Sequence, residues 1–218
     1  MNTVINASLG QGYERGQDRL KASLEKHYPC HFIGFKEWPP WEHSKASPYV
    51  VKAAAIQAAI DQGHKQILWL DASVIVTGSL QPIFDHIREH GVYLPSSGWN
   101  CAQSCNDRIL NYYGITRDRA ELIAEGSSGC MGMDLDHPTG KQFALWFIQA
   151  AKDGVFEGSR EHDGQSQDPR FKFHRQDQSA ASLIAHKLGI TLTFLGELAG
   201  YWGHKHSGNQ VVHFKGIQ

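Results

Sequence analysis

Gln66-Ile67-Leu68-Trp69-Leu70-Asp71-Ala72-Ser73 carries four apolar residues without a break into one carboxylate. An uninterrupted apolar run this short suits a strand buried on both faces, as in a parallel sheet. Asp71 then stands where the strand leaves the sheet. In open α/β sheets ligands gather at that edge, outside the carboxyl ends of the strands. A carboxylate placed there can hold a hard cation beside a phosphate. It can equally cap the turn that follows the strand, so the surrounding residues have to decide.

Upstream, the stretch from Ser47 to Gly63 is rich in Ala, the best helix former. Ser47 is a good N-cap, Pro48 fits the first helical position, and Gly63 fits the residue after the last turn. A helix is therefore predicted to lead through a short turn into the apolar strand. Thr3 to Ser8 reads as a strand, Tyr13 to His27 as a helix with Leu20 and Leu24 on one face, and Cys30 to Phe35 as a second strand. The resulting order of strand, helix, strand, loop, helix, strand is the alternation of a Rossmann-like half. Downstream of Asp71, Thr77 to Phe84 reads as a turn and a helix start, with that helix ending at Gly91.

Pro48-Tyr49, then Lys52, an Ala-rich helix and Leu68-Trp69-Leu70-Asp71-Ala72-Ser73 together resemble the nucleotide-binding half of GT-A glycosyltransferases. The likeness is spread over most of the chain. In that family a short acidic motif, usually Asp-x-Asp, ends a buried strand and binds a divalent metal and the diphosphate of a nucleotide sugar. Here Ser73 stands where the second carboxylate would be. The resemblance implies an α/β, single GT-A-like domain over residues 1–218. Its Rossmann-like N-terminal half (1–95) would carry a mostly parallel central sheet flanked by helices. Residues 96–218 would form the donor-sugar and acceptor half, with a long polar loop at 153–175. It further implies Mn²⁺ or Mg²⁺ and a nucleotide-diphosphate sugar, a UDP-sugar, as donor.

The candidate site residues follow from the same likeness. Asp71 and His213 are the candidate metal ligands. His213-Phe214-Lys215-Gly216 is similar to the C-terminal His-x-x-Gly of glycogenin-like enzymes, and Lys215 or Lys205 would replace their later diphosphate-binding Lys. Asp177-Gln178 resembles the Asp-Gln element that faces donor sugar and acceptor. Asp177 also sits where a helix starts, so it is equally placed to be an N-cap. Asn6 and Ser8 end the first strand, whose residues contact the base in the family. Lys52 is a candidate phosphate ligand, Ser73 a hydroxyl ligand, and Ser128 and Gly129 are candidates for close approach to the sugar, since Gly admits backbone contact. Trp38, Trp41, Trp99 and Trp202 lie in predicted loops and are candidates for packing sugar rings or plugging small cores.

Composition narrows the classes. The 218 residues carry a formal net charge of −1, which gives no general pull toward nucleic acid or anionic membrane. A nucleic acid acceptor stays open beside glycan, lipid head group and protein. No apolar run approaches the roughly 20 residues of a membrane span. The start lacks a signal-peptide pattern and the chain has four Cys, so reduced thiols and a cytoplasmic location are expected. Cys101 and Cys105 are not spaced as in zinc knuckles, and no second paired cluster supports a structural zinc.

Later elements are less sharply marked. Val92 to Leu94 is predicted as a short strand, Trp99 to Arg108 as a loop, and Asp107 to Tyr113 and Thr116 to Ala124 as short helices. Cys130 to Met133 is predicted as a strand, Thr139 to Lys152 as a strongly apolar helix, and Thr191 to Leu195 as a strand. Asp153 to Arg175 is polar with few apolar anchors, too few to pack as core, and reads as a lid or acceptor loop. Two rivals to a glycosyltransferase remain: a noncatalytic nucleotide-sugar or glycan-binding protein with a degenerate metal motif, and a nucleotidyltransferase. The latter wants a basic Gly-rich loop after the first strand, and Gly10-Gln11-Gly12 has only Arg15 nearby.

Overall fold

The computed structural model describes residues 1–158, 166–204 and 209–217. The N-terminal part runs β1 (Asn2–Ala7), α1 (Gln11–His27), β2 (His31–Phe35), α2 (Val50–Asp61), β3 (Gln66–Leu70), β4 (Val74–Val76), α3 (Gln81–His90) and β5 (Val92–Tyr93). Next come β6 (Ser96–Asn100), α4 (Cys101–Ser104), α5 (Asp107–Tyr113), α6 (Arg117–Glu121), β7 (Ala124–Gly126) and β8 (Cys130–Asp134). The chain then gives α7 (Pro138–Lys152), α8 (Gln176–Lys187), β9 (Ala199–Tyr201) and β10 (Val212–Phe214).

The central sheet has the order β2-β1-β3-β8-β5. β1 pairs in parallel with β2 and β3, while β8 runs antiparallel to β3 and β5. The fold is thus mixed α/β with a mostly parallel sheet. β3 sits mid-sheet because both of its faces are apolar. Ile67 and Trp69 join a core with α2 and α7, and Leu68 and Leu70 join another with α1 and α3. The Ala side chains of α2 do similar work: Ala53, Ala54, Ala55, Ala58 and Ala59 are all buried, and the helix packs closely on β1, β3 and α7.

Two small sheets complete the edge near Asp71. β10 pairs antiparallel with β4 and parallel with β9. The backbone N–H of Lys215 bonds to the Ser73 carbonyl at 2.9 Å, so the tail is tied to the turn that follows β3. β6 and β7 form a separate antiparallel ribbon.

Several expectations need correction. Ser47 lies ahead of the cap of α2, which begins at Val50 with Tyr49 at the cap position; its hydroxyl accepts the Tyr49 N–H at 3.4 Å and donates to the Phe156 carbonyl at 2.7 Å. The region from Trp99 to Arg108 is not a loop. It holds the end of β6, all of α4 and the start of α5, because Asn100 and Gln103 form a capping box and Cys101, Ala102 and Cys105 are fully buried. The helix expected to reach Ala124 stops at Glu121, and Ala124 opens β7. Thr191 to Leu195 forms only an isolated parallel bridge between Thr193 and Pro95.

The loop at 153–175 is firmer at its ends than its composition suggested. Phe156 and Phe171 are fully buried, and Arg170 joins Asp168, Asp118 and Glu121 in ion pairs. A few well-placed rings are enough to fasten a polar segment. Residues 159–165 of the segment expected to form a lid lie outside the described residues.

Candidate functional site

The carboxyl ends of β1 and β3 open into a cleft of about 420 Å³, closed on its far side by the start of α8. That volume is in the range of small-molecule sites. Asp71 stands in it at the end of β3, held by its backbone N–H on the Gly129 carbonyl at 2.9 Å. One carboxylate oxygen, Oδ1, accepts the indole N–H of Trp69 at 2.6 Å.

Lys52 is the centre of the site. It projects from α2 and is almost wholly buried. Its ammonium lies 2.6 Å from Oδ2 of Asp177 and 3.5 Å from Oδ1 of Asp71. It also donates to the carbonyl and hydroxyl of Ser128 at 2.8 and 3.0 Å, and sits 5.2 Å from the centre of the Trp69 ring. Burial alone would push its pKa down, but the carboxylates of Asp177 and Asp71 outweigh burial and hold it above the ordinary lysine value. Lys52, the candidate phosphate ligand, is thus a buried cation joining two carboxylates.

Asp177 does not cap α8. It is the second helical residue, with Arg175 at the cap position, and its side chain turns inward to Lys52 and to the Ser128 hydroxyl, which donates at 2.9 Å. Gln176 holds φ at 40°, a left-handed value rare outside glycine. Its buried amide donates to the Gly158 carbonyl at 2.9 Å, which fastens this turn. Strain of this kind persists only where the surroundings over-determine it, and it clusters at functional sites. Gln178 follows in the cleft wall and accepts the Ser128 N–H at 3.3 Å.

The other expected residues divide. Ser73, Ser128 and Gly129 stand beside Asp71. Asn6 and Ser8 do not offer polar groups to the cleft. Asn6 donates to the Leu70 carbonyl at 2.6 Å and accepts from Ser8 and Gln17 at 2.6 and 2.8 Å, so both tie β1 to its neighbours. Ala7 and Leu9 line the cleft in their place. His213 and Lys215 are not among its lining residues. Phe214 faces Gly129, and strand alternation turns His213 the other way, its ring edge-on to Trp202 at 5.4 Å. The Lys215 ammonium lies 5.1 Å over the Trp202 ring. Lys205 lies outside the described residues. Sequence reasoning passed over Tyr13, Tyr49, Trp69 and Arg175, all of which line the cleft. The indole at Trp69, two residues before the carboxylate, was the one available signal, since alternation puts both on one face of the strand.

His174 supports this wall from behind. It is fully buried and accepts the Asn106 N–H at 3.4 Å. Burial pushes its pKa down to about 4, so it folds neutral. The unfolded state takes up the proton first, near pH 6.5. Stability is therefore complete above about 6.5 and falls as pH drops toward 4, by roughly 3 kcal/mol for this group. His174→Gln is expected to flatten that part of the profile, as read by urea unfolding at pH 7 and pH 4.5. Equal acid losses in both proteins would remove His174 from the account.

No protein-family model and no curated protein sequence matches this chain. Solved structures do match in shape. Mouse xyloside xylosyltransferase 1, in its apo form, aligns over 98% of this chain and 97% of its own, with 10% identity and a TM-score of 0.52. Galactosyltransferase LgtC, in complex with donor and acceptor sugar analogues, covers 97% of this chain and 86% of its own at 13% identity and a TM-score of 0.46. A glycosyltransferase involved in glycosylation of the major capsid of PBCV-1 covers 71% and 68% at 12% identity and a TM-score of 0.44. The first of these carries the assignment: the chain has the GT-A glycosyltransferase fold.

Proposed function

We propose that this chain, built on that fold, moves a sugar from a nucleotide-diphosphate donor to an acceptor hydroxyl. The observation that carries the reading is the meeting of Asp71 and Asp177 on Lys52 in one cleft at the carboxyl edge of the parallel strands. Two carboxylates are brought together there at the expense of a buried lysine, an arrangement that a merely structural edge does not need.

Among the described residues no three His, Cys, Asp or Glu side chains gather as a metal cage, so a divalent cation at Asp71 would rest on few protein ligands. Oδ1 of Asp71 is engaged by Trp69, which leaves Oδ2, with the Ser73 hydroxyl nearby. Mg²⁺ and Mn²⁺ are commonly held by one or two carboxylates, with water and substrate phosphate completing the shell. Bound there, the cation would supply charge for the leaving diphosphate. The protein's own part is positional. Lys52 fixes both carboxylates, Trp69 orients Asp71, and Ser128 with Gln178 sets the wall at which Asp177 would face the sugar. UDP-sugar is the donor to try first.

A screen of nucleotide sugars with and without Mn²⁺ tests the reading, because a ligand that binds only the native state raises its melting temperature. Metal-dependent stabilisation followed by release of nucleoside diphosphate in the presence of acceptor is expected. Stabilisation without any release, across glycan, lipid and protein acceptors, would favour the noncatalytic reading that Ser73 suggests by replacing a carboxylate.

Gly129 gives a finer expectation. A Cβ at this position would stand 3.0 Å from Oδ2 of Asp71 and 2.9 Å from the Phe214 ring. Gly129→Ala must displace one of them. A catalytic group moved by a fraction of an ångström is expected to lower turnover by on the order of tenfold, with only a small fall in melting temperature. Full turnover in this variant would show that the carboxylate tolerates movement.

A further inference from the structure

Four charged side chains line the cleft: Lys52, Asp71, Asp177 and Arg175. The first three are paired with one another. Arg175 has no carboxylate partner among the described residues, and no hydrogen bond of its guanidinium is found there. Its Nε is buried without a hydrogen-bond partner. The guanidinium carbon lies 4.6 Å over the Phe173 ring, which in turn meets Trp99 edge-on at 5.1 Å. A stacked, half-buried guanidinium with unspent donors facing a cleft is pre-organised for a planar or forked oxyanion.

The charge balance points the same way. Lys52, Asp71 and Asp177 together leave the cleft one negative charge in excess, and beyond any divalent ion at Asp71 an arriving diphosphate or carboxylate gains from a further cation that faces it. Arg175 is that cation. We propose that Arg175 binds an oxyanion of the substrate through its guanidinium fork. The shared chemistry is that of a donor diphosphate or of a carboxylate on the transferred sugar. The proposal deepens the glycosyltransferase reading, since it names the residue that would hold the charged part of its donor.

Inorganic pyrophosphate, UDP, uridine, UDP-glucose and UDP-glucuronate separate the possibilities, titrated by calorimetry into wild type, Arg175→Gln and Arg175→Lys. If the diphosphate is the ligand, Arg175→Gln should lose about tenfold or more in affinity for pyrophosphate and UDP while uridine is unchanged. If a sugar carboxylate is the ligand, UDP affinity should hold and the preference for UDP-glucuronate over UDP-glucose should vanish. Arg175→Lys keeps the charge and loses the fork, so it should fall between the other two. Either pattern supports an oxyanion role, and pyrophosphate reads it even if no nucleotide sugar is ever turned over. Unchanged affinities for all five probes in Arg175→Gln, with or without a lowered melting temperature, would show that Arg175 only packs on Phe173.

Discussion

Lys52→Met is expected to lower folding stability by on the order of 3–5 kcal/mol, the usual effect of removing one partner from a buried ion pair. The reason is local. Asp177 is buried and looks to Lys52 and Ser128 for its stabilisation, and the methionine would leave it with the hydroxyl alone. Asp71 is half exposed and can recover water, so most of the loss falls on Asp177. The pH dependence has a definite sign. Because the folded pKa of Lys52 is raised, its contribution is complete below about 10.4 and is lost as pH climbs through the folded value. The gap between wild type and variant should hence be constant through neutral pH and narrow in strong alkali. Adding Asp177→Leu to Lys52→Met should restore much of the stability, since removing both partners is far cheaper than orphaning one. It should not restore donor turnover. Chemical unfolding of the three proteins decides the point: a single variant as stable as wild type would mean that water reaches Asp177.

Asp71→Asn is expected to leave the fold intact and to lower turnover by on the order of 10²-fold or more, the scale of one preorganised electrostatic group. The amide oxygen can still accept the Trp69 indole, so the local geometry has no reason to change. What disappears is the charge that a divalent cation needs. Affinity for UDP should lose its dependence on Mn²⁺ while binding without metal is kept or slightly raised, because one negative charge has gone. Manganese-dependent affinity equal to that of wild type would mean that the cation is held elsewhere.

Much of the frame was legible in the sequence because it depends on short-range chemistry. The buried strand at Gln66–Leu70 was marked by unbroken apolarity, and the Ala-rich helix before it by propensity. The helix ends at Gly63 and Gly91 were marked by glycines that do adopt left-handed φ values of 85° and 83°. The sequence shows no apolar run of spanning length, and among the described residues no helix is long and apolar enough to cross a membrane. What failed were elements whose stability comes from distant partners. β4 exists because β10 pairs with it across most of the chain. The segment from Cys101 to Ser104 is helical because its cap and its burial against α8 suit it, and its small polar residues gave no such sign.

The site divides along the same line. By itself the sequence determined that a carboxylate would end a central strand at the carboxyl edge of the sheet, since periodicity and composition settle where a strand is buried and where it stops. Only the tertiary structure decided what that carboxylate meets. Lys52 comes from α2, Ser128 from the turn before β8, and Asp177 and Arg175 from the entry to α8. Whether Asp177 caps a helix or grips a lysine, whether Asn6 faces a base or a backbone carbonyl, and which cation is left free are outcomes of packing. Each depends on the burial and charge of neighbours remote in the chain, which no local pattern encodes.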